Sequence, residues 1–291
     1  MHLRHPGQTA LLDTFPEYLR SLSKAGCGLD SGLDGQALLS ATRIYIGDEF
    51  CPHRLPNAGD LEFFFDFASR RQMCLTLLTP FFTDEQLETY GAVFDSLGGC
   101  PVEIELVAND LGFLCLIKDR YPSLPLAIGR LLNRGFKDPR MLETMTRQQI
   151  LEEQRPFLTD CTFAQPEFRA LMKGLGIERM ERDLLPCDKG DASAIPGFDT
   201  SIYFPYGYFT TGRVCWISSF NQPAHQRFVL RRDCTKPCND VPFLSCDKGS
   251  SLETVHNGNT FFYRYTPHQI SMLVKSASST NLRLVYQGYA I

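Results

Sequence analysis

Short apolar runs alternate with longer amphipathic stretches through the first half of this chain. The short runs predict buried β-strands, and the longer stretches, with apolar residues every three or four positions, predict helices. The predicted strands cover residues 42–46, 73–78, 102–107 and 124–128. The predicted helices between them cover residues 59–71, 83–97 and 110–120. Strands that alternate with helices in this way indicate βαβ units and a parallel sheet.

The second half of the chain is less regular but continues the alternation. It predicts helices at residues 138–152, 166–174 and 267–276, and strands at 177–184, 201–204, 227–231, 260–265 and 282–287. A stretch rich in glycine and aromatic residues, 205–213, is predicted to be a loop. We therefore predict an α/β fold, an irregular (β/α) TIM-type barrel with an inserted cysteine loop in its last third. A doubly wound open sheet is the alternative architecture.

The start of the chain has a different pattern. An amphipathic helix is predicted over residues 8–24, and a loop rich in glycine and aspartate over 25–38. These features predict an N-terminal helix and loop, residues 1–39, before a single barrel-like domain that covers residues 40–291.

Composition and charge exclude few function classes. Of the 291 residues, 43% are hydrophobic and 21% are charged, which is typical of a soluble globular protein. The net charge of -4 gives no strong indication of nucleic-acid binding. No apolar run is long enough for a membrane span. The N-terminal residues are not followed by the apolar segment of a secretory signal, so no such signal is predicted. These features predict a cytoplasmic location.

Four of the 11 cysteines form the most informative motif. Cys51 follows the first strongly predicted strand, and Cys215, Cys234 and Cys238 form a C-x18-C-x3-C group. Thiolates grouped in a chain without a secretion signal indicate a metal site rather than disulfides. If the four sulfurs converge, they fit a [4Fe–4S] cluster or, alternatively, a structural zinc ion. The competing interpretation is that they are small buried hydrophobic residues, as we expect for the other seven cysteines.

Polar and aromatic residues after several predicted strands are candidates for substrate binding, because such strands end at the barrel mouth. The candidates are Asn109, Arg130, Asn133 and Tyr206. The Arg130 guanidinium could bind a carboxylate or phosphate, or it could form a structural pair with Asp110. Asn109 and Asp110 could equally be an ordinary helix cap, and Tyr206 could simply pack as a loop aromatic residue.

Several motifs resemble the collagenase-like U-type peptidase family over about residues 40–240. They are Ile44-Tyr45-Ile46-Gly47 followed by Cys51, Asn109-Asp110-Leu111-Gly112, the stretch 125–133 and Lys137-Asp138-Pro139-Arg140. Within that family, the cysteine layout is most similar to the UbiV-like iron–sulfur proteins. The resemblance implies that Cys51, Cys215, Cys234 and Cys238 bind a [4Fe–4S] cluster.

The resemblance also implies a function, which is the oxygen-independent hydroxylation of a ubiquinone precursor or a related small aromatic or anionic substrate. It implies a UbiU-like subunit as the partner in a heterodimer, and a prephenate-like oxygen donor. The alternatives are a U-type collagenase-like peptidase and a non-catalytic partner whose metal site is structural. The sequence contains neither an H-E-x-x-H zinc motif nor a G-x-S-x-G elbow, so no motif indicates peptidase chemistry.

Overall fold

A computed structural model describes the protein at residues 1–4, 6–9, 12, 41–140, 152–154, 156, 158, 160–186, 194–220, 222–230, 233–239, 244–245, 252–279 and 282–287. Its strands are β1 (His2–Leu3), β2 (Arg43–Gly47), β3 (Cys74–Leu78), β4 (Ile104–Ala108), β5 (Leu126–Ile128), β6 (Arg179–Arg182), β7 (Asp199–Phe204), β8 (Tyr206–Thr211), β9 (Leu244–Ser245), β10 (Thr254–Asn257), β11 (Thr260–Arg264) and β12 (Leu282–Tyr286). Its α-helices are α1 (Ala58–Arg70), α2 (Asp84–Ser96), α3 (Leu111–Arg120), α4 (Pro166–Gly174), α5 (Trp216–Ser219) and α6 (Pro267–Ser279).

Two sheets organise these strands. Strands β1 to β7 and β12 form an eight-stranded sheet in chain order, in which every neighbouring pair is parallel. This sheet is nearly closed and flanked by helices, as expected of a TIM-type barrel. The α/β prediction is therefore confirmed. Strands β8 to β11 form a separate antiparallel sheet in the order β8-β11-β10-β9, inserted between β7 and β12.

Side chains that cross the barrel interior show how far the sheet closes. The Tyr45 hydroxyl on β2 lies 3.4 Å from the Ser201 hydroxyl on β7. Arg283 on β12 donates from Nη1 to the Tyr45 hydroxyl at 3.0 Å and to Glu105 on β4 at 2.6 Å. These contacts join strands that are not neighbours in the sheet. The interior is thus bridged by polar groups, whereas barrel interiors of this type are usually filled with branched apolar residues.

The main apolar core lies between the outer face of the barrel and the helices. Alternate strand residues such as Ile44 and Leu75 point outward and are fully buried beneath Leu61 and Phe64 of α1 and their neighbours. The apolar residues that alternate along each strand therefore pack against the apolar residues that recur at helical spacing in α1. Apolar burial at this interface is the main force that holds helices on the sheet.

Helix starts agree with the capping signals in the sequence. The Thr83 hydroxyl accepts from the Gln86 backbone NH, and the Gln86 side chain accepts from the Thr83 backbone NH, which forms a capping box at α2. The Asp110 carboxylate accepts from the Phe113 backbone NH at 3.1 Å, so the predicted cap at this position is confirmed.

Two predictions in the last third are wrong. Residues 205–213, predicted to be a loop, contain strand β8 of the inserted sheet, whose alternate residues Tyr206 and Tyr208 are buried in an apolar cluster with Phe50. Residues 227–230 form no strand: Phe228 has a positive φ of 58°, and the segment is exposed. The glycine-rich stretch is a strand because it pairs with β11. Residues 227–230 have no partner strand among the described residues, although their composition favours a strand.

Several predictions fall outside the described residues. They concern the helix over 8–24, the loop over 25–38 and most of the helix over 138–152. None of the described helices combines the length and apolar character needed to cross a membrane.

Gly47 ends β2 and turns the chain into the barrel mouth. Its φ is +90°, and a β-carbon at this position would lie 2.6 Å from the carbonyl oxygen of Leu78 on β3. Both facts require glycine, because L-residues rarely adopt this φ and the clash is with backbone. The next residues, through Cys51, owe their direction to this turn.

We expect Gly47→Ala to lower the free energy of unfolding by about 1–3 kcal/mol, the cost of a strained backbone conformation. Urea denaturation measures it. Gly91→Ala within α2 is the matched control, because its β-carbon would meet no atom within 4 Å. Alanine there should raise stability by up to about 1 kcal/mol. Equal effects of the two substitutions would contradict this account.

Candidate functional site at the barrel mouth

Arg130 is the centre of a buried ion cluster at the carboxyl ends of the strands. Its Nε donates to Glu49 Oε2 at 2.9 Å, and its Nη1 donates to Asp183 Oδ1 at 2.6 Å. All three side chains are fully buried. The residues follow β2, β5 and β6, so one guanidinium joins three strand ends. Charge-assisted hydrogen bonds of this kind are roughly twice as strong as neutral ones.

Aromatic rings complete the surroundings of this cluster. The Arg130 guanidinium carbon lies 3.7 Å from the ring centroid of Tyr203, which favours the cation. The Tyr208 hydroxyl donates to the Arg130 carbonyl at 3.0 Å. Lys137 Nζ lies 3.5 Å from Asp183 and 3.6 Å from the Tyr208 ring centroid. Burial lowers the pKa of Lys137 to about 8, so this ammonium holds its proton less firmly than usual.

The structure places the four candidate binding residues inside the protein. Arg130 pairs with Glu49 and Asp183, whereas the sequence interpretation offered Asp110 as its partner. Asn109 is buried; its side-chain oxygen accepts from the Leu131 backbone NH, and its amide donates to the Thr79 carbonyl.

The other two candidates are buried as well. The Asn133 side-chain oxygen accepts from the Phe163 backbone NH at 3.2 Å. Tyr206 belongs to an apolar cluster with Phe50 and Phe262. All four residues thus support the mouth from beneath, and substrate binding by them stays a prediction.

A second buried ion cluster orients the Cys51 segment. The Asp48 carboxylate pairs with Arg4 at 3.1 Å and with Arg54 at 3.0 Å, and it accepts from the Cys51 backbone NH at 3.1 Å. Both arginines also donate to the Asn257 side-chain oxygen. Burial alone would raise the pKa of Asp48, but the two guanidinium groups outweigh it and lower this pKa to about 2.

The inserted sheet completes the support of the same segment. Asn259, the residue before β11, donates from Nδ2 to the Phe50 carbonyl at 2.7 Å and to the Gly212 carbonyl at 2.6 Å. One amide therefore joins the chain before Cys51 to the chain before Cys215. The ring of Trp216, next to Cys215, lies 6.4 Å from that of His256 on β10.

Three of the four predicted metal ligands are neighbours. Cys51 begins one 3₁₀ turn, Cys215 precedes α5, and Cys238 lies in a second 3₁₀ turn that contacts α5. Burial raises the pKa of Cys51 to about 12, and Asp48 and Cys238 contribute to the rise. Burial also raises the pKa of Cys238, as does nearby Cys215, while Arg54 opposes the rise. Cys238 thus lies near enough to both Cys51 and Cys215 to interact with each electrostatically.

The fourth cysteine and the ligand geometry complete the comparison with the predicted quartet. Cys234 Sγ accepts from the Lys236 backbone NH at 3.4 Å within its own turn. Among the described residues, no three histidine, cysteine, aspartate or glutamate side chains lie in a metal-binding arrangement. All four cysteines are free thiols. The expected convergence of four sulfurs is therefore not seen, and metal binding by them stays a prediction.

Glu181 inside the barrel is a residue that sequence analysis did not identify. It is fully buried on β6, and its Oε2 accepts from the Tyr203 hydroxyl at 2.5 Å. Its Oε1 has no hydrogen-bond partner within the described part of the chain. Burial raises the pKa of Glu181 to about 8, and the nearby Glu49 carboxylate adds to the shift. At neutral pH this carboxyl group is mostly protonated.

Comparisons with known proteins leave the family open. The chain matches no family model, no curated protein and no solved structure. The resemblance to the U-type peptidase family therefore remains a hypothesis based on its motifs.

We expect Arg130→Met to lower the free energy of unfolding by about 3–5 kcal/mol, because it leaves Glu49 and Asp183 buried without a cation. Urea denaturation at neutral pH measures the loss. The control is Arg70→Met, which removes an exposed pair with Asp66 and should cost at most about 0.5 kcal/mol. An Arg130→Met protein as stable as this control would show that the cluster does not stabilise the fold.

We expect Glu181→Gln to change the dependence of stability on pH. The folded protein keeps a proton on Glu181 up to about pH 8, whereas the unfolded chain releases it near the ordinary value of 4.5. Stability from this group is therefore present at low pH and is lost as the pH rises to about 8. The variant should gain stability relative to the natural protein across that interval. Urea midpoints measured at several pH values, with Glu62→Gln as the surface control, test this; a constant difference would contradict it.

Proposed function

We propose that this chain is a UbiV-like iron–sulfur protein that acts in oxygen-independent hydroxylation of a ubiquinone precursor or a related aromatic substrate. In this proposal Cys51, Cys215, Cys234 and Cys238 are the ligands of a [4Fe–4S] cluster, with zinc as the alternative metal. A UbiU-like subunit is the partner, and a prephenate-like molecule is the oxygen donor. The cysteine motif and its resemblance to the U-type peptidase family give this proposal its specific form.

The observation that supports it best is the position of Cys238 near both Cys51 and Cys215, two thiols that are far apart in sequence. Cys238 raises the thiol pKa of Cys51, both thiols interact with the Arg54 guanidinium, and Cys215 raises the thiol pKa of Cys238. Core cysteines used only as small hydrophobic residues have no reason to group at the ends of separate turns. The grouping lies at the carboxyl end of the barrel, where active sites of such folds occur.

The chemistry of this group suits a cluster. Iron–sulfur clusters are held by thiolates, and free thiols are the required starting state. Burial favours the neutral thiols of Cys51 and Cys238, so metal binding must displace their protons, which makes assembly dependent on pH. The buried Arg54 guanidinium beside Cys51 and Cys238 would offset the negative charge of bound thiolates. A bound cluster would supply electron transfer, while this chain would supply its ligands and electrostatic surroundings.

The buried state of the candidate binding residues supports the need for a partner. Arg130, Asn109 and Asn133 already bond to other parts of this chain. Substrate orientation would then depend on groups from another subunit, since positioning and chemistry are separable contributions to catalysis. The same observation favours the second candidate function, a non-catalytic partner whose cluster is structural.

We expect Cys238→Ala and Cys51→Ala to abolish the iron and sulfide content of protein purified without oxygen. Cys115→Ala is the matched control, because Cys115 is an exposed cysteine of α3. It should keep the brown colour and the full iron content. Circular dichroism of the same samples separates loss of the cluster from loss of the fold. Equal iron content in all variants, or zinc in place of iron, would contradict the proposed cluster.

The activity assay distinguishes the two candidate functions. The cluster-loaded chain alone should hydroxylate little substrate, and addition of a UbiU-like subunit with the oxygen donor should restore turnover. Turnover that a redox-inert replacement metal also supports would favour the structural role. Efficient cleavage of a peptide by the single chain would overturn the hydroxylase proposal.

A further inference from the structure

We propose that an exposed apolar surface beside Cys215 is a docking site for an anionic lipid bilayer. Ten large apolar side chains are exposed in the described part of the chain, and half of them lie within residues 216–230. This group, the 216–230 surface, consists of Trp216, Phe220, Phe228, Val229 and Leu230. Single exposed apolar residues are normal, but a group of them marks a site of interaction with a protein or a membrane. This inference does not depend on the metal site or on the proposed function.

Contacts within the segment bring its two ends together. The ring centroids of Trp216 on α5 and of Phe228 lie 5.3 Å apart, in an edge-to-face arrangement. The Phe228 backbone NH donates to the Ser219 hydroxyl at 3.3 Å, and this hydroxyl donates to the Cys215 carbonyl at 2.8 Å. Phe228 and the residues that follow it are thus held beside α5, and the exposed side chains at both ends of the segment belong to one surface next to Cys215.

The backbone of Phe228 is unusual for a residue that is exposed to water. Its φ is +58°, in the left-handed region that bulky L-residues rarely adopt. Strained conformations of this kind cost free energy and cluster at functional sites. The ring gains little in return within this chain, because it is 53% exposed. Burial of the ring against a partner would supply the missing hydrophobic stabilisation.

The charges of the same stretch favour an anionic partner. Residues 200–232 contain no aspartate or glutamate, although the whole chain has a net charge of -4. They contain four cations, Arg213, Arg227, Arg231 and Arg232. The first carboxylate after them, Asp233, is followed by the cation Lys236. Arg213 and Arg227, which flank α5 in sequence, are both exposed. An anionic surface that met this stretch would be attracted by its arginines and not repelled by any carboxylate within it.

Two observations favour lipid over a protein as this partner. Aromatic and aliphatic side chains combined with arginines are typical of segments that lie at a membrane surface, where the cations meet anionic headgroups. A standard protein interface takes about 20–30 residues from each partner, whereas the 216–230 surface offers five apolar side chains from one short segment. We therefore expect this surface to enter the headgroup region of a bilayer without spanning it.

The test is flotation of the full chain with two kinds of vesicle, one of phosphatidylcholine alone and one of equal parts phosphatidylcholine and phosphatidylglycerol. Binding to the mixed vesicles should be at least about tenfold tighter and should weaken as salt is added, because salt screens the arginines. Trp216 is the sole tryptophan of the chain, so its fluorescence reports on this surface. Its emission should shift to shorter wavelengths on binding, and brominated acyl chains should quench it. Absence of binding to the mixed vesicles, or binding that leaves the Trp216 emission unchanged, would overturn the proposal.

Two variants locate the site. Leu230→Asp should weaken binding to the mixed vesicles at least about tenfold, since a carboxylate replaces an apolar side chain that enters the lipid. Leu171→Asp is the matched control, because Leu171 on α4 is 52% exposed and Leu230 is 57% exposed. It should bind like the natural protein. Arg213→Gln should weaken binding to the mixed vesicles and leave binding to phosphatidylcholine unchanged. Equal binding by Leu230→Asp and Leu171→Asp would contradict the assignment.

Sedimentation velocity of the same proteins without vesicles distinguishes lipid from a protein partner. The natural chain and Leu230→Asp should sediment alike, both alone and with a UbiU-like subunit present. A dimer, or a complex with that subunit, that Leu230→Asp dissociates would assign the surface to a protein. Together with a lack of vesicle binding, this result would overturn the lipid proposal.

Discussion

Charge buried inside a nearly closed sheet is the constraint on which the rest of this structure depends. The protein meets it in two ways. Glu105 is paired with Arg283, while Glu49 and Asp183 share Arg130. Glu181 pairs with no cation among the described residues and instead keeps its proton, beside the Tyr203 hydroxyl. The Glu105–Arg283 and Glu49–Arg130 pairs join strands that are distant in sequence, whereas Glu181 and Tyr203 lie on the neighbouring strands β6 and β7.

The same constraint separates structural from chemical roles at the mouth. Side chains that satisfy buried charge or backbone groups are already committed, as Asn109 is between Thr79 and Leu131. The Cys51 segment is positioned indirectly, through Asp48 and the two arginines that bind it. In the proposed function, a ligand of the cluster and the carboxylate that supports it are thus three residues apart in one loop.

Local patterns predicted barrel strands β2 to β7 and β12 and the flanking helices, since their outward residues are apolar and their caps are adjacent in sequence. Strand β1, which pairs with β2, was not predicted. The ion-pair partners of the buried side chains were not predictable from the sequence. Arg130 was located at the correct strand end, but its carboxylates, Glu49 and Asp183, lie 81 and 53 residues away. Strand β8 was missed because its pairing with β11, and not its glycine-rich composition, decides its conformation. The sequence did not identify Glu181, because a polar residue that points into the barrel reverses the usual alternation of buried apolar and exposed polar positions in a strand.

The asparagines of the inserted sheet impose an order of assembly on the mouth. Arg54 bonds to Asn257 across 203 residues, and Asn259 bonds to Phe50 across 209. Contacts at such separation form late, because loop-closure entropy opposes them until the intervening chain has folded. During synthesis the Cys51 segment therefore leaves the ribosome long before Asn257 and Asn259, which complete its support. The mouth around Cys51 reaches its final structure only after the last third of the chain has been made.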